Sequence, residues 1–202
     1  GEGVPQNFKT AVHWYTLAAE QGDADAQFNL GGIYFNDETA FENYKTALKW
    51  YTLAAEQGEA SAEHNLGYMY EYGLGVPQND KTGLKWYTKA AEQGLATAQY
   101  NLGLMYDNGQ DVPQNYKTAL KWFTLAAEQG LVNAQYKLGF IYHQGKGALK
   151  NYKTAMHWYT LAAEQGDANA QNALGLMCAE GTGVLTNNRR AYMWWNLASY
   201  NG

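Results

Sequence analysis

Ala98-Gln99-Tyr100-Asn101-Leu102-Gly103-Leu104-Met105-Tyr106 is the stretch on which the fold turns. Ala98, Leu102 and Tyr106 are spaced i, i+4, i+8 and therefore share one face of a helix. Its Leu-Gly pair recurs as Leu30-Gly31, Leu66-Gly67, Leu138-Gly139 and Leu174-Gly175, always 36 residues on. Trp14, Trp50, Trp86, Trp122, Trp158 and Trp194 keep the same step, as do Gly22, Gly58, Gly94, Gly130, Gly166 and Gly202. No insertion or deletion interrupts the period. A fixed period of this size marks an architecture of stacked supersecondary units.

Outward from that stretch, the other half of the unit is a second helix, seen in Asn115-Tyr116-Lys117-Thr118-Ala119-Leu120-Lys121-Trp122-Phe123-Thr124-Leu125-Ala126-Ala127-Glu128-Gln129-Gly130. Ala119, Trp122 and Ala126, with Phe123 and Ala127, give the 3/4 spacing of a buried stripe. Asn7, Asn43, Asn79, Asn115, Asn151 and Asn187 stand where a cap is needed. The Gly22 column ends the helix, because glycine enters the left-handed conformation without steric cost. Pro5, Pro77 and Pro113 fall just before the cap, where they break nothing. For the first helix, the residues before the alanine are Asp25, Ser61, Thr97, Asn133 and Asn169, and all five can accept from a free helix N–H.

The expected fold is all-α. An orphan second-type helix at residues 7–21 precedes five helix pairs, eleven helices in all. Such pairs cannot bury their apolar faces alone, so neighbours stack, giving a right-handed α/α superhelical solenoid. The units are a half repeat at 1–22 and repeats at 23–58, 59–94, 95–130, 131–166 and 167–202, read as one repeat domain. The chain starts without Met inside a connecting segment, which reads as a fragment of a longer protein.

Columns constant across copies carry the fold. The Trp column is assigned to the core, as indole buries a large apolar area. The Tyr34, Tyr70, Tyr106, Tyr142 column is also packing, and its last member is Cys178, which makes the single cysteine a buried small hydrophobe. Glycine inside the first helix costs about 1 kcal/mol against alanine. Five copies of the Gly31 column imply close approach of a neighbouring helix backbone. His13 and His157 share a column with Lys49, Lys85 and Lys121, so they read as surface residues on a solvated face.

Composition narrows the function. A net charge of −5 with only two arginines argues against nucleic acid as a partner. One Cys excludes a disulfide framework and a Cys-rich metal site, and four separated histidines supply no metal cluster. No cofactor is implied. No apolar run approaches the ~18 residues of a membrane span.

The unit A-x-x-x-L-G-x-x-Y-x-x-G followed by G-V-P-Q-N-x-K-T-A-x-K-W-Y-T-x-A-A-E-Q-G resembles the Sel-one-like repeat family, a branch related to tetratricopeptide repeats. The match covers essentially the whole chain. It departs at Asp37-Glu38-Thr39-Ala40-Phe41-Glu42, where other copies carry Gly-x-Gly-Val-Pro-Gln, so that connection is expected to differ in shape. Ala191 to Ala198 looks like the closing repeat of bacterial members, which continue into one more helix. The resemblance implies a scaffold for protein complexes in bacterial signalling, host contact or protein quality control. It leaves cytoplasm and periplasm both open.

Binding is expected on the first-helix stripe opposite the Ala-Leu-Tyr core, which lines the concave groove in tetratricopeptide-like solenoids. Its members vary between copies, and variation is read as freedom from the fold. The candidates are His64, Tyr100 and Tyr136, then Tyr68, Leu104 and Phe140, then Glu71, Asp107 and His143. Beside them run Asn29, Asn65 and Asn101, with Lys137 in the same column. In peptide-binding tetratricopeptide domains the matching Asn bonds the ligand backbone, and an amide supplies both donor and acceptor. The alternative for this column is a hydrogen bond to a neighbouring helix.

Two other function classes stay open. A hydrolase or binder of cell-wall or β-lactam-type ligands needs a nucleophile with a base in reach. Only Ser61 and Ser199 exist, S-x-x-K is absent, and Ser61 is explained by capping. Glu71 and Asp107 hold equivalent positions in adjacent repeats, where a carboxylate pair competes with a simple acidic patch. The third class is a structural spacer whose ends or edges self-associate, its oligomeric state open. The preferred reading is a non-catalytic scaffold that binds a protein or peptide.

Overall fold

The computed structural model describes residues 8–36, 41–109 and 112–202. Among the described residues eleven helices follow in order: α1 Phe8–Glu20, α2 Ala24–Asn36, α3 Phe41–Glu56, α4 Ala60–Tyr72, α5 Asp80–Glu92, α6 Ala96–Asn108, α7 Tyr116–Glu128, α8 Val132–Gln144, α9 Tyr152–Glu164, α10 Ala168–Glu180 and α11 Asn188–Asn201. No strand occurs among the described residues, and the fold is an all-α repeat fold. Even-numbered helices are the first of each repeat, odd-numbered ones the second. The helices group into two compact units, Gly1–Ala98 and Gln99–Gly202.

Helix ends follow local chemistry. Asn79, Asn115, Asn151 and Asn187 cap α5, α7, α9 and α11, each side chain accepting from a backbone N–H three residues on. The backbone N–H of the same asparagines donates to Tyr70, Tyr106, Tyr142 and Cys178. Those bonds tie the start of each second helix to the end of the first. Asn43 instead lies inside α3, which begins at Phe41 and runs 16 residues rather than 13. Asn7, Pro5 and most of the divergent connection at 37–42 lie outside the described residues. Gly22, Gly58, Gly94, Gly130 and Gly166 have φ between 87° and 94°, so they reverse the chain where a side chain would be strained.

The first-helix caps differ from expectation. The residues before α4, α8 and α10 are Glu59, Leu131 and Asp167, two positions earlier than the expected column. Asp23 and Asp167 accept from the N–H of Ala26 and Ala170 at 2.7 and 2.6 Å. Glu59 accepts from Ser61 N–H at 3.0 Å. The glycine reversal is so short that Asp25, Ser61, Thr97, Asn133 and Asn169 are already in the first turn.

The expected tryptophan column reaches the core only in part, and the ring beside it in the buried stripe lies deeper. Tyr51, Tyr87, Phe123 and Tyr159, each one residue past a tryptophan, are 2% exposed or less. Trp50 is buried, Trp86, Trp122, Trp158 and Trp194 are half-buried, and Trp14 is 64% exposed. Each tryptophan described in a core cluster packs between the first helix of its own repeat and the second helix of the repeat before: Trp50 on Ala19 of α1 and Ala26 and Leu30 of α2, Trp86 on residues of α3 and α4, Trp194 on those of α9 and α10. Lysine ammonium groups lie over several of these rings, as with Lys89 over Trp86 at 4.3 Å. An indole at this angle is only half sheltered, whereas one residue further round the helix points straight at the first helix of the same repeat.

There the buried ring meets the mid-helix glycine. A Cβ built on Gly31, Gly67 or Gly103 would stand 2.7, 2.7 or 2.6 Å from a ring carbon of Tyr51, Tyr87 or Phe123. Tyr159 closes on Gly139 and Trp195 on Gly175 in the same manner. The glycines serve close approach, as expected, but the approaching group is an aromatic face and not a helix backbone. Cys178 is 2% exposed. His13, His157 and the Lys49, Lys85, Lys121 column are exposed.

A buried amide ladder closes each repeat on itself and bonds it to the repeat before. Gln27, Gln99, Gln135 and Gln171 are buried, and Gln57, Gln129, Gln165 and Asn201, each 30 residues on, donate to their side-chain oxygens at 2.8–3.1 Å. Gln27, Gln135 and Gln171 also donate to the carbonyls of Ala19, Ala127 and Ala163. Glu63 occupies this column in the second copy, accepts from Gln93 at 2.7 Å, and is 4% exposed. Burial pushes its carboxyl above the ordinary value, partly offset by Gln93 and the Lys89 charge.

Two predictions follow from these contacts. Gly31→Ala should lower Tm, because ring overpacking of about 1–3 kcal/mol exceeds the ~1 kcal/mol gained in helix propensity. The adjacent Gly32→Ala should raise it, since a Cβ there would meet only the Tyr51 hydroxyl at 3.7 Å. Thermal melts by circular dichroism check the pair. Glu63→Gln should raise Tm at pH 7. A carboxyl whose pKa is raised by folding opposes folding once ionised, so the wild type loses stability as pH rises through the carboxylate range. The advantage of the variant should vanish below about pH 4, where Glu63 is neutral in both states.

Candidate functional site

The first-helix face is built on the buried rings, and each ring sets what stands around it. In the first unit, Phe28 lies 5.9 Å from Tyr51 and His64 5.5 Å from Tyr87, centroid to centroid. In the second, Tyr100 lies 5.7 Å from Phe123 and Tyr136 5.8 Å from Tyr159. These four positions vary between copies, yet all are half-buried packing partners of the core. Their variation is not freedom from the fold.

The expected asparagine column turns on the same rings. The Asn65 side chain hydrogen-bonds the Tyr51 hydroxyl, and Asn65 Oδ1 lies 3.2 Å from His64 Nδ1. Burial pushes the Tyr51 phenol up to about 12 despite that bond, and holds the His64 imidazole below its ordinary value. Asn29 is exposed and donates to the Asp25 carbonyl of its own helix at 2.8 Å. Asn101 is half-buried. In the second unit the column carries Lys137, and the ring it faces is Phe123, which has no hydroxyl. The ammonium lies 5.6 Å from the ring centroid and 2.9 Å from Asp107 Oδ2.

Glu71 and Asp107 each have a partner inside their own unit. Glu71 Oε2 accepts from the Tyr87 hydroxyl at 2.8 Å. Asp107, only 4% exposed, is paired with Lys137 and lies 3.8 Å from Lys146. Ser61 is no cap; its N–H is the one that Glu59 holds. Among the described residues no three His, Cys, Asp or Glu converge as metal ligands. No described helix is long and apolar enough to cross a membrane.

The remaining candidates fall on two surfaces. In the first unit Tyr68 is exposed, packs at a tilt against Tyr72 at 4.5 Å and meets Phe35 edge-on at 6.1 Å. In the second unit Tyr136, Phe140 and His143 of α8 line one recess of about 360 Å³. Leu104 is half-buried on α6 and lines no part of it. The floor includes Tyr159 of α9, and the far wall comes from α10: Asn169, Asn172, Ala173, Leu176, Met177 and Glu180. Phe140 and Leu176 are 38% and 52% exposed at its mouth. Sequence reasoning missed the α9 floor, since Tyr159 reads as core, and passed over Asn172 and Leu176 although they stand in the stripe.

The comparisons bear on this arrangement. The Sel1 repeat family matches at residues 1–23, 24–59, 60–95, 96–131, 132–167 and 168–202, the whole chain. A comparison with curated proteins finds no significant match. Among solved structures, c5321, described as a protective antigen present in uropathogenic Escherichia coli strains and displaying an SLR fold, is 40% identical with a TM-score of 0.89. The alignment covers 94% of this chain and 40% of that one. A Sel1 repeat protein from Oxalobacter formigenes is 36% identical with a TM-score of 0.84, over 97% of this chain and 78% of the other. Immunity protein PA5088 from Pseudomonas aeruginosa shares the fold at 23% identity and a TM-score of 0.65, over 98% of this chain and 75% of its own.

The bond between Tyr51 and Asn65 is open to a double-mutant cycle. Tyr51→Phe and Asn65→Ala should each destabilise, and the double variant should lose less than their sum by about 1 kcal/mol. Urea denaturation of the four proteins measures that coupling.

Proposed function

The chain belongs to the Sel1 repeat family, whose members are generally protein-interaction scaffolds, and from that premise we propose that it binds a protein or peptide partner, without catalysis, along the face formed by its first helices. The observation that carries the reading is the recess of the second unit. It gathers Tyr136, Phe140 and His143, picked out for recognition from their residue type alone, with Leu176 and two asparagines opposite. Aromatic and amide groups around a concave, partly apolar space suit recognition of a peptide, since rings give contact area at small entropic cost. In the first unit the exposed Tyr68–Tyr72 pair is a second contact surface. The non-catalytic part rests on side chains already engaged. Ser61 lies in a helix turn held by Glu59, Cys178 is sealed in the core, and Glu71 and Asp107 have polar partners.

Self-association is a second reading, favoured by α11. Met193 stands in the column of Lys49, Lys85 and Lys121, and Tyr200 in that of Glu56, Glu92 and Glu128. Both are exposed, together with Tyr192 and Leu197. Hydrophobes where other copies carry solvated charges are a candidate contact between chains.

The groove reading is tested with peptides selected from a displayed random library against the whole chain. Tyr136→Ala with Phe140→Ala should weaken the selected peptides about tenfold or more, with helicity unchanged. Lys121→Ala, on the solvated face, should leave affinity as it was. Peptides indifferent to the groove pair would sink the reading. Light scattering over a concentration series reports on α11: a mass that stays monomeric removes self-association.

A further inference from the structure

The repeats are internal controls for one another, and one buried ring lacks what the others have. Tyr51 has the carboxamide of Asn65 on its hydroxyl. Tyr87 donates to Glu71 at 2.8 Å. Phe123 has no hydroxyl to satisfy. Tyr159 has one, but the residue in the Asn65 column is Ala173 and the residue in the Glu71 column is His143, whose ring centroid stays 6.4 Å away. No hydrogen bond to the Tyr159 hydroxyl is formed among the described residues, although the residue is only 2% exposed.

That hydroxyl is not sealed in. Among the described residues no side-chain polar atom is both closed off from solvent and without a partner. The Tyr159 oxygen therefore keeps some access to solvent, and Tyr159 lines the recess. Ala173 packs against the same core cluster as Tyr159, so the side chain cut back to a methyl is the one that would have filled this place. Burial raises the phenol further above its ordinary range, so it remains a neutral O–H that can donate and accept. Around it stand the apolar groups of Tyr136, Phe140, Ala173, Leu176 and Met177, with the polar side chains of His143, Gln144, Asn169, Asn172 and Glu180 also in the lining.

We propose that the recess over Tyr159 is a specificity site for a carboxamide. An Asn or Gln side chain of the bound peptide takes the place left by Ala173 and hydrogen-bonds the Tyr159 hydroxyl, while a neighbouring apolar side chain lies on Phe140 and Leu176. The proposal rests on the groove reading and sharpens it to a partner of stated chemistry. A carboxamide fits because the equivalent ring Tyr51 holds one. An apolar side chain in that place would leave the buried hydroxyl unpaired, which is the basis of discrimination.

The test uses the full chain and two capped pentapeptides, Leu-Leu-Asn-Leu-Leu and Leu-Leu-Leu-Leu-Leu, with a Gln version of the first. Binding is followed by calorimetry and by the ring signals of ¹³C-labelled tyrosine. The Asn or Gln peptide should bind about tenfold tighter than the all-Leu one and shift the Tyr159 ring signal. Tyr159→Phe should erase that preference while leaving the all-Leu affinity unchanged. Ala173→Asn, which restores the column residue, should raise Tm and block the Asn peptide. Equal affinity of the Asn and Leu peptides in the parent, or a preference that survives Tyr159→Phe, overturns the carboxamide site. If both peptides then still depend on Phe140, groove binding stands without it. If neither peptide binds, the carboxamide site is overturned, and the library-selected peptides judge the groove separately. A lower Tm for a folded Ala173→Asn shows that position 173 does not reach the hydroxyl and also overturns the site.

Discussion

A flat ring pressed onto a helix with no side chain at the point of contact is the interaction on which this structure depends. Tyr51, Tyr87, Phe123, Tyr159 and Trp195 each meet the glycine of the first helix in the same repeat at a distance that excludes a Cβ. The contact fixes how closely the two helices approach, and alanines at positions such as Ala47, Ala54 and Ala55 keep the rest of the facing surface shallow. Glycine in mid-helix is unfavourable in isolation. It persists because the ring buries more apolar area than the helix loses in propensity.

Placing a tyrosine in that position creates a polar problem. A phenol carried into the core brings a hydroxyl that needs a partner. The copies solve it differently: with an amide at Asn65, with a carboxylate at Glu71, and by dropping the oxygen at Phe123. Once the hydroxyl is gone, its surroundings are free to change, and the ion pair of Lys137 and Asp107 occupies them. Positions that vary across the repeats are thus coupled to the ring they surround.

The periodicity, the helix count and the glycine stop were legible because each rests on local chemistry repeated five or six times. The second-helix caps were legible for the same reason, except at Asn43, which an earlier helix start absorbs. Depth was harder to read. Tryptophan and the following ring sit about 100° apart on one helix, and period alone does not say which lies deeper; residue size pointed to the tryptophan, the shallower of the two. The ladder of Gln27 and its successors was visible as a column but not as a bond, since its partner is 30 residues away and on another helix. Of the residues that line the candidate recess, Tyr136, Phe140 and His143 stood out by residue type, and the floor did not, because Tyr159 reads as core and is core.

That last case is where core and surface cease to be separate categories. A repeat fold is under pressure to keep every copy satisfied, so a copy that departs at two positions around one ring has left a gap that its neighbours fill. At Tyr159 the departures are Ala173, which removes bulk, and His143, which stands where a carboxylate bonds Tyr87. Either change alone would leave the hydroxyl a partner from the other column, as Tyr51 is served by Asn65 opposite Phe35. Both together leave Tyr159, a ring that lines an open recess, with no hydrogen bond to its hydroxyl among the described residues. The scaffold repeats, and recognition arises where the repetition is incomplete, so the unequal columns around an equal ring are the place to look for a partner's side chain.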